Sequence, residues 1–294
     1  MQKCFYGLKM DKVASCHTAL PSVSVIIPSG DSHATIAAAI DSVLSQSYPS
    51  IEIIVVLNGD TGTTPDVIRR YTSISVFTLP DGNGYEARGY GASKAHGEYL
   101  ISLDADDCLH PNAIAESVKT ARETSADIVQ LRLVQFARKA GINILWKFPC
   151  LYDSDNALKG ILSDSTVYNP GIPAKLYRRS LVVPFPDIGY KGFWGEDRLF
   201  NMHIFAKNPK TAYAPDAVYY YRYGGRSRDM TRKGLSDEMS QVRDLQIKYL
   251  HDNNLEQYIP SVKESYSHLL DIIARYKSPD MFLRLKLLIA KLLS

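Results

Sequence analysis

From residue 22 the chain alternates between short unbroken apolar runs and stretches in which apolar residues recur every three or four positions. The run VSVIIP (23–28) reads as a buried strand. The next stretch, ATIAAAIDSVLSQS, sets Ile36, Ile40, Val43 and Leu44 at helical spacing. IEIIVVL is strand again, TPDVIRRY a short helix opened by Thr and Pro, and ISVFTL a third strand. GYEARGYGASKAHG is helical and EYLISL is the fourth strand. Strands alternating with helices in this way mean βαβ units and a parallel sheet. Beyond about residue 125 the rhythm loosens. DIVQLRLVQF predicts a strand, NPGIPAKLYRRSLV a turn followed by helix or strand, and GEDRLFNMHIFAKN a capped amphipathic helix. A tyrosine-rich strand, AYAPDAVYYYRY, follows, and residues 235–294 read as helix interrupted at Pro260 and Pro279.

Ligands of a parallel sheet bind beyond the carboxyl ends of its strands. That rule gathers three distant segments on one edge: Pro28-Ser29-Gly30-Asp31, Leu57-Asn58-Gly59-Asp60 and Asp104-Ala105-Asp106-Asp107. Three carboxylates within four residues repel one another, and each raises its neighbours' pKa unless a cation sits among them. The ordinary alternative is a solvated acidic turn that caps the helix starting near Pro111. The position at the ligand edge favours a metal site. Mg²⁺ and Mn²⁺ take oxygen ligands, commonly one or two carboxylates together with substrate phosphates. Neither a P-loop nor a G-x-G-x-x-G follows the first strand, where PSGDSHA stands instead. The glycine-rich basic loop of a nucleotidyltransferase is missing there too. A metal-held diphosphate without those loops points to a nucleotide-sugar, whose leaving group the metal neutralises.

Composition narrows this reading without redirecting it. A chain of 294 residues suits one large domain with an appendage, or two modest domains. Its 34 basic and 31 acidic residues give a net charge of +3, too balanced to argue for a nucleic-acid partner. Cys4, Cys16, Cys108 and Cys150 form no C-x-x-C pair and no zinc spacing, which favours a reducing cytoplasm. No run approaches the roughly 20 apolar residues needed to cross a bilayer, and the first 21 residues do not read as a signal peptide. Any membrane contact is therefore expected from one side.

Three segments carry a family resemblance: VSVIIPSGDSHATIAAAIDSVLSQSYPSIEIIVV, NGYEARGYGASKAHGEYLISLDADD and GEDRLFNMHIF. Over residues 22–225 the chain resembles the inverting family-two glycosyltransferases. The strand–Pro start with its S-x-x-x-Q helix, the A-R-x-x-G-x-x-x-A-x-G-E-Y run, the D-A-D-D and the later G-E-D stand in the family's order. The resemblance implies a GT-A fold, an α/β Rossmann-like, mostly parallel sheet flanked by helices, with a helical carboxyl-terminal appendage. It implies that Asp104 and Asp106 face the donor ribose, diphosphate and metal (Mn²⁺ or Mg²⁺), Asp106 being the more direct ligand. Arg88 corresponds to an arginine of the nucleotide pocket, and Pro28, Ser29 and Asp31 to the strand-one donor loop. Asp197 corresponds to the catalytic base. Arg222 and Arg226 fall where the family often has a mobile segment that folds over the diphosphate.

The chain departs from the family pattern at the strand-one loop, at Gly89, and after strand two, where Asn58 stands in place of an Asp that accepts from uracil. Asn can still accept through its carbonyl. Asp197 also has a plainer role open to it as a helix N-cap, and Glu196 is the second choice for the base. Tyr219, Tyr220, Tyr221 and Tyr223 suit core packing better than a sugar platform, Trp194 is a candidate for the acceptor cleft, and His33 reads as an exposed loop residue. The tail at 279–294 suits either an interfacial helix or packing on this domain or a second copy of it.

The expected organisation is an extension (1–21), a GT-A domain (22–230) with donor half 22–110 and acceptor half 111–230, and a helical region (231–294). The expected activity is transfer, with inversion, from a nucleotide-sugar, chiefly a UDP-sugar, to a glycan or lipid-linked glycan hydroxyl. The alternative is a non-catalytic glycan- or nucleotide-binding relative.

Overall fold

The computed structural model describes residues 20–136, 144–145, 151–152, 154–163, 169–192, 194–222 and 234–276. The extension before Leu20, Cys4, Cys16, Cys150, Tyr223, Arg226 and the tail at 279–294 lie outside the described residues.

The amino-terminal half follows the apolar pattern closely. Strands β1 (Val23–Ser29), β2 (Ile51–Asn58), β3 (Ser75–Leu79) and β4 (Tyr99–Ser102) alternate with helices α1 (Ile36–Leu44), α2 (Thr64–Ile68) and α3 (Gly84–Lys94). The four strands are parallel, in the order β3-β2-β1-β4. Then come β5 (Cys108–Leu109), α4 (Ala113–Thr124), β6 (Ile128–Phe136), β7 (Ile144–Leu145), β8 (Leu151–Tyr152) and α5 (Ser154–Leu162). The run NPGIPAKLYRRSLV holds both elements left open above, β9 (Lys175–Arg178) and α6 (Arg179–Val182). Helix α7 (Glu196–Phe205) and strand β10 (Thr211–Arg222) complete the sheet layer. The sheet is mixed: β9 runs antiparallel between β4 and β6, and β6 lies parallel to β10.

Alternation within β1 divides the core in two. Val23, Val25 and Ile27 pack with Ile36 and Ile40 of α1 and with Ile114 and Val118 of α4. Ile26 faces the other way, with Ala87 of α3, Ile161 of α5 and Leu199 and Met202 of α7. Burial of such side chains contributes about 25 cal/mol per Å² of apolar surface, so both faces of the sheet must be covered, and they are.

The carboxyl-terminal region is helical, as expected, with one revision. Helix α8 (Leu235–Asp252) and helix α9 (Ile259–Tyr276) are separated by a turn and a single 3-10 turn at Glu256–Tyr258. The break falls at Asn253–Asn254, where Asn254 is left-handed (φ 57°), and not at Pro260. Pro260 is the second residue of α9, where an N–H has no intrahelical acceptor and its loss costs nothing. Among the described residues no helix is long and apolar enough to cross a membrane.

Candidate active site

The acidic turn that follows β4 is fixed from below and from the side. Ser42 of α1 and Gln46, just beyond its end, accept the N–H groups of Leu109 and Ile114, and Gln46 Nε2 donates to the His110 carbonyl at 2.7 Å. The S-x-x-x-Q pair therefore anchors the chain just beyond the turn. Carboxylate oxygens of Asp104, Asp106 and Asp107 all lie within 4.8 Å of one another. Arg88 reaches Asp104 from α3 because Gly91, one turn later, lets the helix rest directly on the sheet. A Cβ there would stand 2.6 Å from Ile26 Cγ2 and 3.2 Å from Val56 Cγ2. The capping box between Asn83 and Glu86 fixes the start of that helix.

The three aspartates have different surroundings. Arg88, buried, donates from Nη2 to Asp104 Oδ1 at 2.6 Å and from Nε to Ser102 Oγ at 3.1 Å. Burial works against its charge, but Asp104, Asp197 and Glu196 together raise its pKa. Asp107 is 1% exposed and spends both oxygens on the chain itself. Oδ2 accepts the Tyr219 hydroxyl and Oδ1 the Arg222 N–H, each at 2.7 Å. Burial and then Asp104 push its carboxyl up to about 8. Burial and Asp104 also raise the pKa of Asp106. Arg222 donates from Nε to the Asp106 backbone carbonyl at 2.7 Å. A hard divalent cation fits this donor set. Asp104 and Asp106 can offer carboxylate oxygens to it, and its charge would relieve the repulsion that raises the Asp106 and Asp107 pKa values.

The strand-one and strand-two loops meet beside the turn. A Cβ at Gly30 would lie 3.4 Å from the Asp60 carbonyl and 3.5 Å from that of Asn58. Pro28 and Ser29 are buried at the end of β1, and Ser29 Oγ lies 2.5 Å from Ser32 Oγ. Asp31 is exposed and bonds His33 Nδ1 at 2.7 Å. Asn58 turns its amide towards the Gly82 carbonyl at 3.4 Å, while its Oδ1 is shielded and has no partner among the described residues.

The G-E-D motif opens α7. Gly195 is the N-cap, with φ 90°, and Glu196 and Asp197 occupy the first turn. Asp197 is therefore not the cap considered from the sequence. Glycine holds that place because the chain enters the helix left-handed, and because Val242 Cγ1 and Cγ2 would each lie 2.9 Å from a Cβ. Burial, then Asp197, push Glu196 up to about 8, with Arg88 opposing. Burial likewise raises Asp197, opposed by Arg88, Lys175 and a hydrogen bond from the Ile172 N–H. Asp197 Oδ1 is shielded and unpartnered among the described residues. Trp194 packs its ring edge-on against Tyr266 of α9, and its N–H donates to Glu238 Oε2 of α8 at 2.9 Å.

The sequence model of Glycosyl transferase family 2 matches residues 24–182, more than half of the chain. The chain belongs to this family. Among curated proteins it is 23% identical over 210 residues to poly(ribitol-phosphate) beta-N-acetylglucosaminyltransferase TarP of Staphylococcus aureus, covering 68% of this chain and 62% of that one. It is 26% identical over 211 residues to poly(ribitol-phosphate) beta-glucosyltransferase of Bacillus spizizenii, covering 68% of this chain and 32% of the relative. The chain thus spans about a third to three fifths of these relatives' length. The structure of S. aureus TarS 1-349 in complex with UDP-GlcNAc superposes with a TM-score of 0.64 at 20% identity, over 82% of this chain and 71% of that one. The shared fold is GT-A.

Within this family-two fold several contributors were not singled out from the sequence. Tyr219, expected to pack in the core, is fully buried and also holds Asp107 and the Asp104 N–H. Lys175 is 2% exposed and opens β9 between the buried Ala174 and Leu176, a signal visible in the run AKLY. Burial lowers its pKa to about 7, with Asp197 opposing. Asn201 of α7 accepts the Tyr177 hydroxyl at 2.9 Å and donates to the Pro170 carbonyl at 2.6 Å.

Proposed function

We propose that this protein is an inverting glycosyltransferase that moves a sugar from a UDP-sugar to a glycan hydroxyl. The observation that carries the reading is the arrangement around Arg88. Arg88 bonds Asp104 of the acidic turn and lies near enough to the G-E-D carboxylates for both to favour its charge, and Asp197 keeps an unpartnered oxygen. Asp197 accepts the proton of the acceptor hydroxyl as that oxygen attacks the anomeric carbon from the face opposite the nucleotide. The glycosidic bond to the diphosphate breaks on the other side, and the configuration inverts. Arg88 fixes Asp104 for the donor, and Arg222, whose Nε donates to the Asp106 carbonyl, is the cation we assign to the diphosphate. A divalent ion held by Asp104 and Asp106, Mn²⁺ or Mg²⁺, would supply positive charge to the departing diphosphate. Asn58 Oδ1 suits acceptance of the uracil N3–H, the donor its shielded oxygen lacks.

The relatives' names support a hexosyl or N-acetylhexosaminyl donor and a surface polysaccharide or glycoconjugate acceptor, and we place the reaction in the cytoplasm or at the inner face of the membrane. Acceptor screening against UDP-glucose and UDP-GlcNAc, detecting released UDP with and without Mn²⁺, tests the reading. Turnover that stops in excess chelator and in Asp106→Ala is expected. Full turnover in chelator would remove the metal from the scheme. Donor binding with no transfer to any acceptor would favour the binding-only relative.

A further inference from the structure

Lys175 is a fully buried amine with no carboxylate in hydrogen-bond contact among the described residues. It donates from Nζ to two backbone carbonyls, those of Asn169 at 2.7 Å and Gly171 at 2.5 Å. An uncompensated ammonium in such a place is strongly disfavoured, and burial lowers the Lys175 pKa to about 7, so its charged form depends on opposite charge nearby. The Gly171 carbonyl shares a peptide group with the Ile172 N–H. In a trans peptide the two point in opposite directions. One end of this group receives the Lys175 ammonium, and the other lies by the Asp197 carboxylate and favours its charged form. Asp197 Oδ2 would lie 3.7 Å from a Cβ placed on Gly171, so the carboxylate rests against the same turn. The turn itself is braced on every side. Asn169 Oδ1 accepts the Gly171 N–H at 2.9 Å, its Nδ2 donates to the Pro173 carbonyl at 3.3 Å, and Asn201 holds the Pro170 carbonyl.

We propose that Lys175 is a positioning residue for the base, acting on Asp197 through the Gly171–Ile172 peptide. The ammonium polarises the peptide so that its N–H donates more strongly. The peptide in turn restrains the carboxylate and leaves Oδ1 without a partner among the described residues. The alignment of charge, dipole and opposite charge also keeps each buried ion compensated without direct contact between them. Arg88 and Lys175 both favour the charged form of this carboxylate. This inference rests on the reading of Asp197 as the base, and the experiment separates the two.

Four proteins are compared: wild type, Lys175→Met, Asp197→Asn and the double variant. Each is measured for kcat, donor KM and melting temperature without metal or donor. Lys175→Met should lower kcat by about tenfold or more and leave donor KM within about twofold, since it touches no donor loop. The melting temperatures should couple, because a single substitution strands one buried charge and the double removes both. The double variant should therefore melt no lower than the less stable single variant. Additive losses in melting temperature with an inactive Asp197→Asn would overturn the link and leave the base assignment standing. Coupled melting with a fully active Asp197→Asn would keep the link and remove the base. Wild-type kcat in Lys175→Met would end the positioning role. If Lys175→Met alone does not fold, the double variant decides. Recovery of folded protein supports the pairing, and failure to recover overturns it.

Discussion

At the scale of single residues, the site separates two carboxylates that are adjacent in sequence. Glu196 and Asp197 both have raised pKa values, but of the two only Asp197 is restrained by the backbone of another segment, at Ile172, and keeps a shielded oxygen with no partner among the described residues. A general base needs a fixed lone pair that is not already committed to another donor. Asp197→Asn keeps the size of the side chain and removes the proton acceptor. General-base assistance is worth ~10²–10⁴ in rate, so kcat should fall by at least ~10²-fold with donor KM little changed. Glu196→Gln should retain far more activity, because Glu196 has no shielded, unpartnered oxygen of this kind. Steady-state kinetics on the two variants checks this. A dead Glu196→Gln beside an active Asp197→Asn would exchange the roles.

At the scale of elements, the position of α3 on the sheet determines where Arg88 falls. Gly91→Ala puts a methyl group 2.6 Å from a buried Ile26 methyl that has no open side to move to. Overpacking of this kind costs ~1–3 kcal/mol. The helix must lift, and Arg88 rises with it from Asp104. We expect a lower melting temperature together with a raised donor KM, measured by thermal unfolding and by donor titration. A loss of stability with unchanged KM would mean that Arg88 tolerates the shift. The same scale explains what could be read beforehand. The βαβ rhythm, the acidic turn and the G-E-D helix were legible because each is a local pattern of apolar spacing or adjacent charges. The insertion of β9 between β4 and β6 was not, since a four-residue strand carries no mark of its neighbours. Nor was the partnership of Asp107 with Tyr219, which lie 112 residues apart. Alternate tyrosines predicted burial correctly for Tyr219, but the contact made by its hydroxyl depends on a register that only the folded sheet sets. Lys175 and Asp197 meet through a backbone peptide, and side-chain patterns say nothing of that.

At the scale of the whole molecule, the carboxyl-terminal helices are fastened to the element that carries the base. Glu238 accepts the Trp194 N–H and the Tyr190 hydroxyl, Val242 packs on Gly195, and Arg198 of α7 lies over the Tyr266 ring. One further contact in this interface titrates. The His203 ring of α7 lies against Tyr249 of α8 with centroids 4.1 Å apart. Burial, assisted by Lys207, lowers its pKa to about 4 from 6.5, with Asp187 opposing. The folded state therefore prefers the neutral ring. Between pH 6.5 and about 4 the unfolded chain takes up a proton that the folded protein does not, so the unfolded state binds more protons and stability falls as the pH is lowered. The contribution is fully present above pH 6.5 and is lost as the pH falls through 4. His203→Phe keeps an aromatic ring against Tyr249 and removes the titration. Other carboxylates titrate in both proteins and cancel in the difference. The melting temperature of His203→Phe should thus fall less than that of the wild type between pH 7 and pH 4, and the gap should open within that window. Parallel curves would show that the ring is protonated in the folded state and that the interface between α7 and α8 admits the charge.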